Sequence, residues 1–540
     1  MPIGSGAAVR FVDNRCMGRT PQLTADAAPA GVPQARAGLL PDFGAMARRN
    51  KRLRQLQSDM DGAATYAAWR EAAMAWDAAS GLEAWKREDA SPFYDYPLIQ
   101  RRLAQILAAR EGGYVRRLMF VLQEGLHGNL GNISNPLLYR YCRFGTKRLI
   151  ERYLDEVCES LVFLADTGAR HVPPAELREF FESTSQTFGQ SCLMLSGGAA
   201  LGIYHFGVVK SLWENGLLPH VISGSSAGSI VAAMLATHDD RELDELLQAR
   251  EGMVELIRWN DPPVPYLFNV PHFEGELARR VRDMSFREAW QHSGRAVNIP
   301  VSAEGRHAEG RLLNHRTSPN VLVRSAVRAS CAAPFLMPPV ELLARTMGGE
   351  TIPWLKGTRF LDGSIGDDLP IRRLTRLYGV NHSVVSLVNP LVLPFVSREV
   401  QRSDAIGAVA GRTLVRLVKE SANLSLEALQ RGVPSANASL AIQKVQSVMM
   451  QDYRGDITLV PPRRLAHLFR MLRNHSPAEE REFVDIGMRI TWPWLEMIKN
   501  TTAISRTFRS CILRLQVDAR RKPGKVAGRA GRGRHSGDKR

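Results

Sequence analysis

Apolar and polar residues follow a helical period through much of the first third of the chain. In KRLIERYLDEVCESLVFL, residues 147–164, apolar side chains recur every four positions, at Leu149, Tyr153, Val157 and Leu161. Ile150 and Leu154 lie beside them, so the apolar stripe has the width of one buried helix face. The pattern predicts an amphipathic helix here, within a mostly helical segment from Ala64 to Ala165.

The pattern changes near residue 190, where short apolar runs end at turn residues. These runs are Cys192–Leu195 before SGGAALG, His220–Ser223 before GSSAGS, and Ser383–Val388 before Asn389-Pro390. The first two turns lead into segments with helical spacing. Strands that alternate with helices predict an α/β fold built on a sheet.

Beyond about residue 400 the helical spacing returns, with a strand-like segment at Gly455–Pro461 and a predicted helix over Phe483–Ile498. The first 45 residues are rich in Ala, Gly and Pro and have no periodicity. The predicted organisation has five parts: a disordered leader at 1–45, a helical N-terminal domain at 46–189, an α/β core at 190–400, a helical C-terminal extension at 401–516, and a disordered basic tail at 517–540.

The composition indicates a globular protein with a large core. The chain has 540 residues, of which 44% are hydrophobic and 23% are charged. Its N-terminus lacks the features of a secretory signal, and no apolar run reaches the ~18 residues that a spanning helix needs. We therefore expect an intracellular protein whose contact with a membrane is peripheral.

The six cysteines are scattered and form no CxxC pair. This spacing favours neither a disulfide framework nor a zinc site, and reduced thiols are the simplest interpretation. We expect no metal ion and no cofactor.

The formal charge of +17 is unevenly distributed, because residues 519–540 hold nine Lys or Arg residues and one Asp. Such a segment is interpreted as a solvated tail, with contact to an anionic membrane or to RNA as the alternatives. The sequence has no aromatic RNA-binding motif, so nucleic acid ranks below lipid as a partner.

The stretch VISGSSAGSIVAAM, residues 221–234, has the pattern of a nucleophile elbow. A strand, then Gly-x-Ser-x-Gly, then a helix holds a serine at the end of a sheet, and here the middle residue is Ser226. Gly224 and Gly228 avoid clashes in the tight bend, and Ser225 occupies a position that points elsewhere. The alternative is an ordinary Gly-Ser turn.

The SGGAALG segment follows its own strand and precedes a helical pattern. The backbone N–H groups of Gly197, Gly198 and Ala199 could hold an oxyanion at such a helix start. The alternatives are a phosphate loop, which would lack the Lys-Ser/Thr ending of a Walker motif, and a purely structural turn.

A serine nucleophile needs a base, and the best candidate is Asp362 in TRFLDGSIGDDLPI, residues 358–371. It ends a strand-like run, and a carboxylate with a raised pKa can serve as a general base. None of the thirteen histidines has a setting that marks a triad member, and His205 is best interpreted as a packed core residue. A turn aspartate that caps its own backbone is the alternative for Asp362.

The order GGAALG, GSSAG and DGS resembles the patatin-like phospholipase family. The segments around Ser226, Ser330–Leu342 and Leu361–Pro390 resemble its intracellular triacylglycerol-lipase branch, which has a helical domain before the patatin domain. The resemblance implies a three-layer α/β/α fold, a dyad of Ser226 and Asp362 without a catalytic histidine, and an oxyanion loop at Gly197–Ala199.

The resemblance further implies a lipid acyl hydrolase that acts on triacylglycerol at a membrane or lipid-droplet surface. Phospholipase A or lysophospholipase activity, glycerolipid transacylation and a non-catalytic binding scaffold are the alternatives. Two positions depart from the family pattern. Ala199 replaces a third glycine, and Leu201 stands where many relatives carry a cation, which favours a neutral substrate. The oligomeric state does not follow from the sequence.

Overall fold

The computed structural model describes residues 43–248, 268–304, 310–333, 336–389, 392–393, 455–462 and 474–521. The chain divides into two compact units, residues 1–51 and residues 52–540, and the sheet lies in the second. The predicted leader at 1–45 and tail at 517–540 lie outside the described residues, except where the first helix begins at Phe43 and the last one ends at Arg521. The predicted five-part organisation stays a prediction.

The elements are numbered in chain order. The helices before the sheet are α1 (Phe43–Gly62), α2 (Tyr66–Ser80), α3 (Leu82–Arg87), α4 (Tyr96–Glu111), α5 (Val115–Gly125), α6 (Pro136–Arg140), α7 (Arg148–Thr167) and α8 (Pro174–Phe188). The later helices are α9 (Ile203–Glu214), α10 (Ala227–Thr237), α11 (Asp240–Gln248), α12 (Val270–Arg280), α13 (Phe286–Ser293), α14 (Val323–Ser330), α15 (Ser364–Asp367), α16 (Ile371–Tyr378), α17 (Pro477–Thr491) and α18 (Leu495–Arg521). The strands are β1 (Gln190–Leu195), β2 (Val221–Gly224), β3 (Ala296–Ala303), β4 (Gly310–Leu313), β5 (Val340–Glu341), β6 (Leu343–Arg345), β7 (Thr351–Pro353), β8 (Arg359–Asp362), β9 (Val380–Ser386) and β10 (Ile457–Leu459).

Eight of the strands form one mixed sheet in the order β10-β9-β1-β2-β3-β8-β5, with β4 paired to β3. The pairs from β10 to β3 are parallel, whereas β8 runs antiparallel to β3. The predicted α/β class is therefore confirmed. The carboxyl ends of β1, β2 and β9 meet at one edge, which is where sites form in such sheets.

The sheet is covered on both faces, as the alternation of side chains along β1 demonstrates. Leu193 and Leu195 belong to a large core that includes residues of α9, α10, α14, α17 and α18. Cys192 and Met194 point the other way, into a smaller core with Leu374 of α16. This period of two is what a strand with two covered faces requires.

The predicted helix at 147–164 is α7, and its apolar stripe is buried. The helical region also contains buried charges that the apolar pattern does not reveal. The fully buried Asp77 accepts hydrogen bonds from Lys86 Nζ at 2.9 Å and from the amides of Arg143 and Phe144 at 2.8 and 3.0 Å. These bonds compensate the cost of burying the carboxylate and tie α2 to the segment before α7.

The prediction of a single helix over Phe483–Ile498 is wrong, because the helix is interrupted. Two helices, α17 and α18, meet at a 3₁₀ turn over Trp492–Trp494, because Pro493 cannot donate the helical hydrogen bond. Trp492 is buried, so it packs in the core and is not available to a membrane. In the described residues, no helix is both long and apolar enough to span a bilayer.

The helix α17 lies directly against α9, which follows the glycine loop. A side-chain carbon on Gly207 would come within 2.0 Å of the Val484 carbonyl oxygen, and one on Gly487 within 2.3 Å of the Tyr204 carbonyl oxygen. The two glycines therefore permit a backbone contact that no other residue type would allow. The C-terminal region thus supports the helix behind the candidate site.

Candidate active site

The turn after β2 has the geometry of a nucleophile elbow. The strand ends at Gly224 and α10 begins at Ala227. Between them Ser226 has φ 48° and ψ −120°, a conformation that is strained for any residue with a side chain. A side-chain carbon on Gly224 would lie 2.2 Å from the Gly228 carbonyl oxygen, and one on Gly228 would lie 2.3 Å from the Leu195 carbonyl oxygen. Both glycines are therefore needed by the bend.

Hydrogen bonds hold Ser226 in this conformation. Its amide donates to the Ser330 hydroxyl at 3.1 Å, and that hydroxyl donates to the Pro300 carbonyl at 2.9 Å. The Ser226 carbonyl accepts from the Ser229 hydroxyl at 2.6 Å. Sequence reasoning missed Ser330, although it lies in the quoted Ser330–Leu342 segment. Nothing in the spacing indicates that it contacts a serine 104 residues earlier.

The glycine loop begins at the end of β1 and passes through a 3₁₀ turn into α9. Ala199, the residue that replaces a third glycine, has φ 47°. It therefore adopts the left-handed conformation that a glycine would adopt, at a cost of roughly 1 kcal/mol. A side-chain carbon on Gly198 would lie 2.4 Å from Val388 Cγ2, so the loop also packs closely on the segment after β9.

The candidate base lies at the end of β8, as expected for Asp362. Its side chain is buried, and Oδ1 accepts a hydrogen bond of 2.8 Å from the Ser364 amide. A side-chain carbon on Gly363 would come within 2.2 Å of the Pro300 backbone, so this turn packs tightly on β3. Through this bond to Ser364 the carboxylate caps its own turn. The alternative of a turn aspartate therefore accounts for one of the contacts of Asp362.

The three motifs meet at Gly197. A side-chain carbon on this residue would lie 3.4 Å from Ser226 Cβ and 3.3 Å from Ser364 Cβ. Ser364 is two residues from Asp362, so the glycine loop, the elbow and the Asp-Gly-Ser turn occupy one edge of the sheet. Segments that are far apart in the sequence are thus brought together by the strand order.

A second buried carboxyl lies at the same place. Asp368 Oδ1 accepts a hydrogen bond of 2.9 Å from the Gly197 amide, and Oδ2 accepts one of 3.3 Å from Asn389 Nδ2. Burial raises the pKa of Asp368 to about 7, while these hydrogen bonds oppose the rise. Sequence reasoning missed this residue, and its only signal was a second acidic residue in SIGDDLP.

His205 packs behind the glycine loop and makes two hydrogen bonds. Its Nδ1 lies 2.7 Å from the Ser386 hydroxyl and its Nε2 lies 2.9 Å from the Ser196 carbonyl oxygen. Burial lowers the pKa of His205 to about 4, so the ring is neutral near pH 7. Both nitrogens are thus occupied by the sheet and loop, as the core interpretation expects.

The side chain of Leu201 is buried in the large core. It therefore does not line an open head-group site, and the argument for a neutral substrate from the missing cation loses its support. A cation at this position would have to be buried.

Elsewhere in the described residues, Asp239, Glu242 and His292 place three potential metal ligands within 4.8 Å of one another. Glu242 accepts hydrogen bonds from the Asp239 amide, from Arg282 and from His292 Nε2 at 2.9 Å. These contacts lower the pKa of Glu242 and satisfy its oxygens, which describes an ion-pair cluster.

Two family profiles match this chain, one over the helical N-terminal region and one over most of the sheet region. The family profile described as "Patatin-like phospholipase" matches residues 193–375. The profile described as "Domain of unknown function (DUF3336)" matches residues 46–186. The first match contains the elbow, the glycine loop and Asp362.

Curated relatives match most of the chain. A protein named triacylglycerol lipase SDP1L from Arabidopsis thaliana is 31% identical over 86% of this chain and 59% of its own length. Triacylglycerol lipase 4 from Saccharomyces cerevisiae is 32% identical over 82% of this chain and 51% of its own length. The chain thus spans between half and three fifths of these two relatives.

A third relative is matched almost completely. Triacylglycerol lipase ptl3 from Schizosaccharomyces pombe is 31% identical over 85% of this chain and 98% of its own length. Similarity at this level across nearly a whole relative, together with the profile match over the strands and turns of the site, establishes the family. The chain belongs to the patatin-like phospholipase family.

Proposed function

We propose that this protein is a serine lipid acyl hydrolase in which Ser226 is the nucleophile and Asp362 is its base. The observation that carries the proposal is the position of Gly197, which lies against both Ser226 and the residue two positions after Asp362. The strained conformation of Ser226 supports it, because such strain is typical of functional positions. An ordinary Gly-Ser turn would not require this strained backbone conformation.

The proposed reaction follows from these positions. Ser226 Oγ attacks the ester carbonyl carbon while Asp362 accepts the hydroxyl proton, and the loop amides stabilise the negative charge on the carbonyl oxygen. The C–O bond to the alcohol then breaks, and Asp362 returns the proton to the leaving alcohol. Water attacks the acyl-enzyme in a second cycle of the same kind, which releases the fatty acid and restores Ser226.

The proposed substrate is triacylglycerol. The support comes from three relatives that are named triacylglycerol lipases and are matched over more than four fifths of this chain. The family description, in contrast, names a phospholipase. Phospholipid hydrolysis is therefore the alternative that a substrate comparison has to exclude.

We further propose that the protein works in peripheral contact with a membrane or lipid-droplet surface. Its substrate is insoluble, so the site has to reach a lipid interface. The basic segment at 519–540 could add an attraction on the order of 1 kcal/mol per residue near an anionic surface.

The test combines a serine-directed fluorophosphonate probe with hydrolysis of emulsified triolein and of phosphatidylcholine at matched interface area. The unmodified protein is expected to be labelled and to release fatty acid faster from triolein. Ser226→Ala should abolish both labelling and hydrolysis, and Asp362→Asn should lower hydrolysis by several orders of magnitude.

Ser225→Ala is the matched control, because Ser225 precedes the nucleophile and is fully buried. It should keep labelling and measurable hydrolysis. Labelling that persists in Ser226→Ala would contradict the nucleophile assignment. Faster hydrolysis of phosphatidylcholine would contradict the substrate proposal and leave the dyad intact.

A further inference from the structure

The carboxyl of Asp368 links two segments that follow different strands of the sheet. One of its oxygens accepts the Gly197 amide from the loop after β1, and the other accepts Asn389 Nδ2 from the segment after β9. The side chain is only 1% exposed, so water does not compete for these bonds. A buried carboxyl with two such partners holds its surroundings in one arrangement.

The bond to Gly197 has a consequence for the oxyanion loop. An N–H group that points at a carboxyl oxygen 2.9 Å away is not directed at a substrate oxygen at the same time. Among the residues that the structure describes, the amides of Gly198 and Ala199 have no hydrogen-bond acceptor. These are the next two amides along the loop, at the start of the 3₁₀ turn.

The elbow reaches the same carboxyl. The Ser225 hydroxyl is buried beside Asp368 and favours its charged form, although it makes no hydrogen bond of normal geometry. The carboxyl therefore lies where the glycine loop, the elbow and the end of β9 converge. A change in its position would be transmitted to the loop through Gly197.

We propose that Asp368 is a positioning residue that fixes the glycine loop through the Gly197 amide, so that the amides of Gly198 and Ala199 bind the oxyanion. This inference rests on the proposed acyl-transfer function and revises the predicted set of three amides. Asp368 does not touch the reacting atoms in this scheme. Asp368 binds the Gly197 amide, which therefore does not bind the oxyanion. The same contact fixes the orientation of the Gly198 and Ala199 amides.

The charge of Asp368 gives the proposal a signature in pH dependence. Its pKa is raised to about 7 by burial, and the charge of Asp362 raises it further. Its neighbour Asp367 lies 3.7 Å from Arg373 instead. The Gly197 amide is bound more strongly by the ionised form, since charge-assisted hydrogen bonds are about twice as strong as neutral ones.

The experiment compares four proteins on a soluble ester, p-nitrophenyl butyrate: the unmodified chain, Asp368→Ala, Asp368→Asn and the control Asp367→Asn. Asp368→Ala removes the acceptor and is expected to lower kcat about 10- to 100-fold with KM changed less than about twofold, because the oxyanion forms only in the transition state. Asp368→Asn keeps an acceptor oxygen and should recover much of kcat. The control should behave as the unmodified chain.

The pH profile separates positioning from a general loss of structure. In the unmodified protein kcat should rise through an ionisation near pH 7, and this step should be absent from Asp368→Asn. Hydrogen exchange of the Gly197 amide provides a readout that does not depend on activity. The amide should be protected in the unmodified chain and should exchange faster in Asp368→Ala.

An unchanged kcat in folded Asp368→Ala would overturn the inference, and so would an unprotected Gly197 amide in the unmodified chain. Equal loss of kcat in Asp368→Asn and Asp368→Ala, with the Gly197 amide protected in the Asn variant, would also overturn it. A chain that binds no fluorophosphonate and hydrolyses no ester contradicts the proposed function instead, while the exchange measurement still decides the Asp368 contact.

Discussion

The backbone amide of Ser226 donates a hydrogen bond of 3.1 Å to the hydroxyl of Ser330, at the end of α14. The same hydroxyl donates to the Pro300 carbonyl in β3. One fully buried side chain thus joins the strained residue of the elbow to the neighbouring strand. The strain at Ser226 is held by contacts that come from a different part of the chain.

Ser330→Ala should therefore lower both stability and turnover. The change leaves the partly buried Ser226 amide and the buried Pro300 carbonyl without this partner, which costs about 1–3 kcal/mol of unfolding free energy. We expect kcat on a soluble ester to fall more than KM changes. Ser211→Ala is the control, since Ser211 is also fully buried and its hydroxyl has no partner among the described residues. Equal effects of the two changes on kcat would contradict the role of Ser330.

The backbone of Ser226 predicts a difference between two inactive variants. With φ 48° and ψ −120°, alanine keeps the strain and glycine removes it. The unfolding free energy of Ser226→Gly should therefore exceed that of Ser226→Ala by about 1–3 kcal/mol. Urea unfolding of the two variants measures this difference.

Ser229 in α10 provides the reverse case for this comparison. In a regular helix glycine is less favourable than alanine by about 1 kcal/mol. Ser229→Gly should therefore have a lower unfolding free energy than Ser229→Ala. The same order of stability at both positions would show that the elbow is not strained.

The raised pKa of Asp368 predicts how stability changes with pH. The folded protein holds this proton up to about pH 7, whereas the unfolded chain releases it near pH 4, so unfolding free energy falls as pH rises between these values. The contribution is on the order of a few kcal/mol. In Asp368→Asn this contribution to the decrease of unfolding free energy with rising pH should be absent.

Urea unfolding at pH 5 and pH 8 measures the effect. The stability of Asp368→Asn relative to the unmodified chain should increase from the lower to the higher pH. Asp155→Asn, on the exposed side of α7, controls for the loss of one carboxylate. A relative stability of Asp368→Asn that is independent of pH would contradict the assignment of the raised pKa.

The glycine contact between α9 and α17 predicts a large effect far from the reacting atoms. Gly487→Ala places a methyl group 2.3 Å from the Tyr204 carbonyl oxygen, so the helices have to separate. We expect a loss of about 1–3 kcal/mol in unfolding free energy and a lower kcat, because α9 follows directly from the glycine loop.

Gly275→Ala in α12 is the matched control for that change. Its new methyl group meets nothing within 4 Å, and alanine is favoured over glycine in a helix by about 1 kcal/mol. It should therefore stabilise the protein slightly. A neutral Gly487→Ala would mean that the two helices do not pack as closely as described.

Local patterns in the sequence were sufficient for the elements that carry the site. A strand, a Gly-x-Ser-x-Gly turn and a helix are consecutive in the chain, so the elbow at Ser226 could be predicted with its boundaries. The strand that ends at Asp362 was visible for the same reason. Whether Ser226 and Asp362 act as a dyad stays a prediction.

The contacts between distant segments could not be predicted in this way. Ser330 and Asp368 act through the order of strands in the sheet, which brings residues more than 100 positions apart into hydrogen-bond distance. The burial of Leu201 could not be predicted either, because burial cannot be read from one position in a glycine-rich turn. The break at Trp492–Trp494 was missed because the apolar spacing continues through Pro493.

The position of β9 in the sheet sets a limit on how this protein can be shortened. The strand lies between β1 and β10, yet residues 380–386 come after the last residue of the 193–375 family match. A fragment cut at the boundaries of that match would lack β9, β10 and α17. It would keep only the residues 193–195 of β1 and leave their edge towards β9 unpaired, and such an open strand pairs readily with other chains. Fragments made to isolate the catalytic unit should therefore aggregate, and the smallest soluble piece has to include the C-terminal helices.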